Sequence, residues 1–596
     1  MTDRTRCGIP RLDAAGTDVT VFGFVDRRRD HGGLIFLDVR DASGVVQVVL
    51  NPATAPEAHE AAGPLRNEWV VRVQGTVRER AAGARNPNLA TGDVELHAAG
   101  LTVLSEARTP PFAVNEEGTV DERLRLRHRY LDLRRPRLQR NLRARAAFIG
   151  ALRRAMDGLG FMEIETPMMV RATPEGARDY LVPSRVTPGT FYALPQSPQL
   201  YKQLCMVAGL DRYYQIARCM RDEDLRADRQ PEFTQLDVEM SFVDEEDVFA
   251  ALEHTIATAW REAGFHGVIT TPFPRLAHRD AIARYGTDKP DVRFAMELCD
   301  LTGAVQGTGF RVFADAVARG GIVKGIRVVG GGDLNRNAIE GELTEVVRTH
   351  RARGLAYLWL RAQEDGTARW EGGIAKLLGE DVLARIGAAT GAEPGDAVLM
   401  VADRAAVVHP ALAALRNHLG RARNLADPDA LAMIWVTEFP MFERDEESGA
   451  LAPQHHPFTM VHADDLPLLE TDPLAVRSRA YDIVLNGREI GSGSIRITDP
   501  DVQRRVFAAI GIDADAARRK FGFLLEAFEY GVPPHGGFAA GVERLVMEGL
   551  RLDNIREVIA FPKNQQAQEV MTDAPAEVEP AQLTELGLRM IPPPPA

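Results

Sequence analysis

The sequence predicts a multi-domain chain of β and α+β architecture: a small closed β-barrel, then an α+β region that an inserted α+β domain interrupts. Three observations predict it. Residues 19 to 105 hold five β-rich runs: Val19 to Val25, Leu34 to Val39, Val45 to Leu50, Trp69 to Val77 and Val94 to Leu104. Beyond them helical and strand periodicities alternate, and a 596-residue chain has room for about three to five domains, each with its own core. Residues 290 to 425 then carry strand-like pieces and Gly-rich runs but no convincing cluster of chemical groups.

Each run has short strand length, and the one long insertion falls between the third and the fourth. That spacing fits a barrel of the OB type. Such barrels bind single-stranded nucleic acid by base stacking and a basic rim. Here Arg27-Arg28-Arg29 supplies basic charge and Phe36 a ring, although the same residues also suit a solvated turn and a core position. Thr109-Pro110-Pro111-Phe112 ends the barrel, which places residues 1–108 in it and 109–124 in a linker. From Asn141 the positions Leu142, Ala146, Phe148, Ile149, Leu152, Met156 and Leu159 keep helical spacing, and Gly160 and Pro167 bracket a strand over Phe161 to Glu165.

The densest chemistry lies between Tyr214 and Glu239. A β-prone run ends at Arg221, a charged link follows (Asp222, Glu223, Asp224, Arg226, Asp228, Arg229), and a second strand alternates Phe233, Leu236 and Val238 with Thr234, Asp237 and Glu239. A guanidinium at a strand end can bind phosphate through two parallel hydrogen bonds, and neighbouring carboxylates can hold a cation. A salt-bridged surface hairpin is the plain alternative.

Residues 290 to 425 contain Gly303 to Gly309, Gly330-Gly331-Gly332 and the strand-like Ile322 to Val329, and read as an inserted α+β domain. After them come Gln454-His455-His456, then Asp482 and Glu489 on neighbouring extended runs, then Gly491-Ser492-Gly493-Ser494-Ile495-Arg496. The histidine pair is a poor metal site, because adjacent residues on a strand face opposite ways. Asp482 and Glu489 offer the hard oxygen ligands that suit Mg²⁺. Finally Pro533-Pro534-His535-Gly536-Gly537 leads to Gly541-Val542-Glu543-Arg544 just where the pattern turns helical. Pro592 to Pro595 reads as a disordered end.

Composition narrows the function classes. Apolar content of 45% and charge of 26% are those of a soluble globular protein, and a net charge of −13 argues against a generic polyanion binder or a DNA-coating protein. The four cysteines, Cys7, Cys205, Cys219 and Cys299, form no CxxC pair, which points to a reducing cytoplasm. No stretch approaches the roughly 20 apolar residues of a membrane span, and the start has no signal-like apolar segment, so the expectation is a protein that meets no membrane.

In their order and wording these blocks resemble the class II aminoacyl-tRNA synthetases. The run from Arg221 through Glu232-Phe233-Thr234-Gln235-Leu236-Asp237 resembles motif 2, Gly541 to Arg544 motif 3, and the helix with its following strand and Pro167 motif 1. Within that class the chain is similar to the bacterial aspartyl-tRNA synthetases. The resemblance covers about 560 residues and implies an antiparallel-sheet catalytic domain in two parts, 125–289 and 426–563. It also implies a GAD-type α+β insertion over 290–425, a C-terminal extension over 564–596 and a homodimer.

The activity implied is ATP-dependent formation of aspartyl-adenylate and transfer to tRNA. Arg221 and Arg544 are the implied catalytic residues, with L-aspartate held by Glu175, Gln199, Lys202, Arg221, Asp237, His455 and Arg496. ATP is implied at Arg221, Asp222, Glu223, Gln230, Glu489, Gly541, Val542, Glu543 and Arg544, and Mg²⁺ at Asp482 and Glu489. Glu543 departs from the family's more frequent Asp but keeps the charge. In the barrel, Arg28, Phe36, Gln47 and Glu95 match anticodon-reading positions.

His31 stands where tRNA-Asp-restricted enzymes often have Leu, and Gly83 replaces a bulkier residue. In the family that pair accompanies relaxed recognition of both tRNA-Asp and tRNA-Asn, which implies a partner amidotransferase that converts Asp-tRNA-Asn to Asn-tRNA-Asn. Neutral drift with charging of tRNA-Asp alone is the competing reading. Arg496, Lys202 and the insertion tell against a lysyl or asparaginyl enzyme. Arg221 and Arg544 tell against a silent tRNA-binding paralogue, and the barrel against a tRNA-independent ligase.

Overall fold

The computed structural model describes residues 4–116, 118–172, 177–223, 225, 227–445 and 448–591. Glu175 and Pro592 to Pro595 therefore lie outside the described residues. The chain divides into two compact units, Met1–Arg140 with Val570–Thr572, and Asn141–Glu569 with Asp573–Ala596.

In the first unit, strands β1 (Asp18–His31), β2 (Leu34–Asp41), β3 (Gly44–Leu50), β4 (Val70–Glu79) and β5 (Val94–Ser105) close into a barrel. Closure comes from β1 pairing with β2 on one side and with β4 on the other, while β3 and β5 run parallel. The alternation along β2 explains the core: Ile35, Leu37 and Val39 point inward beside Val21, Val25, Val46, Val48, Val71, Val73 and Leu96. The long link between β3 and β4 carries a helix, Pro56–Ala62.

Strand β1 is longer than the sequence predicts. Arg27, Arg28 and Arg29 do not form a turn at the rim; they continue the strand, paired with Asp38, Leu37 and Phe36. The pairing persists because Arg29 Nη2 donates to both oxygens of Asp38 at 3.0 Å and Gly32-Gly33 makes a tight hairpin with both φ values positive.

The second unit is built on an eight-stranded sheet. In chain order its first members are β6 (Met162–Glu163), β7 (Arg212–Met220), β8 (Glu232–Ser241) and β9 (Arg275–Ala277). A separate five-stranded antiparallel sheet follows, β10 (Leu298–Asp300), β11 (Ile322–Val328), β12 (Ala356–Ala362), β13 (Ala368–Glu371) and β14 (Ala397–Asp403), in the order β10-β11-β14-β12-β13. Then β15 (Met433–Thr437), β16 (Ala480–Leu485), β17 (Arg488–Ile495) and β18 (His535–Gly541) complete the first sheet, ordered β9-β15-β16-β17-β18-β8-β7-β6. All its central pairings are antiparallel, and only the two edge strands pair in parallel.

Helices α1 (Pro136–Gly158), α2 (Gln199–Val207), α3 (Glu245–Glu262), α4 (His278–Tyr285), α5 (Ala405–Ala422) and α6 (Val542–Gly549) are the ones that matter for the site. An Asp244 capping box starts α3, whose Phe249 stacks on Trp435 at 4.0 Å in the main core with Phe148, Leu152, Tyr481 and Phe538. Strand β6 is shorter than the predicted Phe161 to Glu165. Being an edge strand it pairs only Met162 and Glu163 with β7, and Phe161 turns into the core.

Candidate active site

A cavity of about 420 Å³ opens on the large sheet, lined by residues of β8, β17 and β18, of α2 and α6, and of the segments after β7, before α2 and before β16. The charged hairpin supplies one wall. Strands β7 and β8 register from Arg212 with Met240 to Met220 with Glu232, so Arg221 leaves the sheet at its end and its backbone N–H donates to Pro231 O at 2.8 Å. Its guanidinium lies 5.2 Å from the Phe233 ring, and Glu223 pairs with Arg229 at 2.9 Å. Arg544, on the first turn of α6, donates to the Glu489 carbonyl at 2.8 Å and stands 3.5 Å from Asp228. Two half-buried guanidiniums thus flank the same opening.

A fully buried charge network lines the same cavity. Arg496, just past β17, forks onto Glu239 through Nε at 2.8 Å and Nη2 at 3.0 Å. Its Nη1 donates to Ser494 Oγ and His456 Nε2, both at 2.6 Å. Lys202 on α2 sits 2.8 Å from Asp237 and 3.2 Å from Glu239. All four side chains are at most 1% exposed. Burial works to raise the Glu239 carboxyl, but Arg496 and then Lys202 outweigh it and hold it down at about 2. Asp237, with one ammonium and no forked partner, is instead raised by its burial. Close backbone approach makes this packing possible: a Cβ on Gly537 would lie 1.9 Å from Glu239 Oε2.

The predicted residues distribute as follows. Gln199, Lys202, Arg221, Glu223, Gln230, Asp237, His455, Glu489, Gly541, Glu543, Arg544 and Arg496 all line the one cavity. Asp222, Val542 and Asp482 are not among its lining residues. Asp222 makes a backbone bridge to Arg178, and Val542 is buried in the core. Gln230 and Lys563 exchange two hydrogen bonds, Gln230 Nε2 to Lys563 O at 3.1 Å and Lys563 N to Gln230 Oε1 at 2.8 Å. Glu543 accepts from the Thr234 N–H at 2.9 Å and from Arg145 at 2.7 Å, which ties α6 and α1 to β8.

The histidines depart from the expectation. They lie in a bend after the short strand Leu451–Pro453, so the opposite-facing rule for strands does not apply, and both reach the cavity. His455 packs edge-on against Phe439 at 4.8 Å, while His456 meets Arg496. Burial lowers His455 to about 4 and drives His456 well below its ordinary value. His456, Ser494, Glu239 and Gln235 were missed by sequence reasoning. The one signal for Glu239 is its place two residues after Asp237 on a strand, hence on the same face.

Across the β16–β17 hairpin Asp482 registers with Ser492 and Glu489 with Val484, two residues along from Asp482 on the same strand. One buried oxygen of Asp482 has no hydrogen-bond partner among the described residues, and burial followed by the Glu489 charge pushes its carboxyl well above the usual range. Two crowded carboxylates with an orphaned oxygen fit a hard cation. Mg²⁺ typically takes one or two protein carboxylates and completes its shell with water and phosphate, in keeping with the absence of any larger acid cluster among the described residues.

On the barrel, Phe36, Gln47 and Glu95 share the outer face of β2, β3 and β5, because their neighbours Ile35, Leu37, Val46, Val48, Val94 and Leu96 fill the core. Gln47 lies one residue ahead of the registered pair Val48 and Leu96 and so beside Glu95, which accepts from His97 at 2.9 Å. Arg28 donates to Ala62 O at 3.1 Å and pairs with Asp30 at 3.0 Å. His31 is exposed at the end of β1, and Gly83 is exposed in the β4–β5 link with open space where a side chain would grow.

A family model described as "tRNA synthetases class II (D, K and N)" matches residues 121–565, and one for an "OB-fold nucleic acid binding domain" matches residues 19–104. The Aspartate–tRNA(Asp/Asn) ligase of Anoxybacillus flavithermus is 51% identical over 585 residues, 98% of each chain. That of Moorella thermoacetica is 52% identical over 584 residues, 98% of this chain and 96% of its own. Among solved structures, Pyrococcus horikoshii asparaginyl-tRNA synthetase complexed with asparaginyl-adenylate superposes with a TM-score of 0.59 at 20% identity, covering 94% of this chain and 98% of the other. The aspartyl-tRNA synthetase of Entamoeba histolytica gives 0.56 at 19% identity, over 93% and 90%, a likeness of fold.

Proposed function

The chain belongs to the class II tRNA synthetases of the aspartate, lysine and asparagine group, and we propose that it is the aspartate ligase that charges both tRNA-Asp and tRNA-Asn. The observation that carries this reading is one cavity lined by two pairs of cations, Arg496 and Lys202 fully buried, Arg221 and Arg544 half-buried. A ligand with a carboxylate at one end and a polyphosphate at the other meets opposite charge at both. ATP and an acidic amino acid have that form.

In this reading aspartate enters side chain first. Glu239 holds the Nε and Nη2 fork of Arg496, so the Nη1 edge, now on Ser494 and His456, receives the substrate carboxylate. Lys202 adds a second positive charge, and Asp237 and Glu175 take the ammonium, with Gln199 and His455 completing the pocket. An asparagine amide would set N–H against a guanidinium and leave buried charge unmatched, a strong basis for rejection.

The aspartate α-carboxylate attacks the α-phosphorus of ATP in line, the bond to the bridging oxygen breaks, and pyrophosphate leaves. Arg221 stabilises charge on the α-phosphoryl oxygens, Arg544 holds the far phosphates, and Glu223, Gln230, Gly541 and Glu543 shape the nucleotide site. Asp482 and Glu489 would hold Mg²⁺, which supplies charge neutralisation across the phosphates. The terminal ribose hydroxyl of tRNA then attacks the mixed anhydride and AMP leaves. Positioning does the work in both steps, and no protein nucleophile is required.

The barrel reads the anticodon in this proposal, with Phe36 stacking and Arg28, Gln47 and Glu95 on base edges and backbone. His31 and Gly83 permit both tRNAs, and an amidotransferase finishes the tRNA-Asn product. We place the enzyme in the cytoplasm as a homodimer, in keeping with four unpaired cysteines and with the absence, among the described residues, of any helix long and apolar enough to cross a membrane.

The test is aspartate-dependent ATP–pyrophosphate exchange without tRNA, followed by separate charging of purified tRNA-Asp and tRNA-Asn. Exchange with aspartate and not asparagine, and charging of both tRNAs, is expected. No exchange from folded protein removes the enzyme reading; charging of tRNA-Asp alone removes the relaxed one.

A further inference from the structure

Glu489 has a single ion-pair partner among the described residues, and the reaction has no use for it. Lys289 Nζ lies 2.5 Å from Glu489 Oε2. The contact is built by two turns that pack together. Helix α4 ends at Gly286 with φ +72, where a Cβ would lie 2.4 Å from the His409 carbonyl oxygen on α5. Thr287 Oγ1 then accepts from the Lys289 N–H at 3.2 Å, and Asp291 is forked by Arg293. The β16–β17 turn rests on this loop, since a Cβ on Gly487 would come 3.1 Å from Asp291 Cβ. Glu489 is two residues further on. The lysine is therefore delivered to the carboxylate by backbone packing and does not reach it as a free surface chain.

Resting on the reading that Asp482 and Glu489 hold a divalent cation, we propose that Lys289 is the resident counter-cation of that pair, which leaves Glu489 when the metal arrives. The ammonium and the ion compete for the same oxygen. The ammonium sets one positive charge beside the pair, and its withdrawal leaves the site one unit more negative, so the lysine weakens metal binding to the empty enzyme. It also keeps buried Asp482, with its orphaned oxygen, and half-buried Glu489 from standing uncompensated between turnovers. The arrangement favours metal entry together with nucleotide, whose phosphates give the displaced ammonium a new partner.

Mn²⁺ binding to the full-length protein without nucleotide, read by electron paramagnetic resonance, tests this. Lys289→Met and Lys289→Gln are expected to tighten Mn²⁺ binding roughly tenfold or more. Lys289→Arg keeps the charge and is expected to bind as the wild type does. Adding Asp482→Asn to Lys289→Met is expected to abolish the gain. Unchanged or weaker binding in both neutral variants, with Asp482→Asn alone still weakening it, overturns the counter-cation role and leaves the metal site standing. Indifference to Asp482→Asn removes the metal site itself. Tightening by Lys289→Arg overturns the proposal too, since loosened packing would then be the cause.

Discussion

In the proposed reading Arg496 joins stability to selection of the substrate carboxylate. It is buried, shares Glu239 with Lys202, and has only its Nη1 edge for a ligand. Arg496→Leu leaves Glu239 with Lys202 alone, and breaking such a pair costs on the order of 3–5 kcal/mol. The expected outcome is a lower melting temperature together with loss of aspartate-dependent exchange, measured on the same preparation. His455 makes a separate prediction. A base whose pKa is about 4 when folded and 6.5 when unfolded takes up its proton first in the unfolded chain. Stability therefore falls as pH drops from about 6.5 toward 4, at up to about 1.4 kcal/mol per pH unit. Urea denaturation at pH 7 and pH 5 should show a loss roughly 2 kcal/mol larger in wild type than in His455→Gln.

Among the elements, the barrel strands and the β7–β8 hairpin were the most legible. Period-two alternation marks β2 through Ile35, Leu37 and Val39, and it sends Phe36 outward with no further information. On that outer face Phe36 is partly exposed. Phe36→Ala is expected to weaken tRNA affinity by about 1–3 kcal/mol while leaving tRNA-free pyrophosphate exchange unchanged. Filter binding and exchange assays on one variant check both halves. Less legible was the loop at Gln454 to His456. Its distance from any strong periodicity invited a strand rule, whereas the structure makes a bend that brings both rings into one cavity. Edge strand β6 and the extension of β1 through Arg27 to Arg29 were misjudged for a common reason: pairing length depends on what the neighbouring strand offers.

For the molecule as a whole, the net charge of −13 sets a constraint on tRNA binding, since attraction must come from local patches. In the proposed reading, selection between tRNAs turns on the exposed hairpin that carries His31. His31→Leu is expected to lower charging of tRNA-Asn relative to tRNA-Asp several-fold, on the scale of one lost polar contact. Exchange without tRNA serves as the unaffected control.

The sequence by itself determined the barrel, the charged hairpin, the turn before α6 and most of the residue types around the cavity, because alternation, glycine and ordered charge are local properties. Tertiary structure alone decided who partners whom. Glu239 is 257 residues from Arg496, and Lys289 is 200 from Glu489. Neither pairing has a period or a motif. Each arises because sheet order sets β8 beside β18 and β18 beside β17, and because α4 and α5 pack so that one loop lies on one turn. Charge pairing across such separations is a consequence of packing, and packing is not written in any single segment.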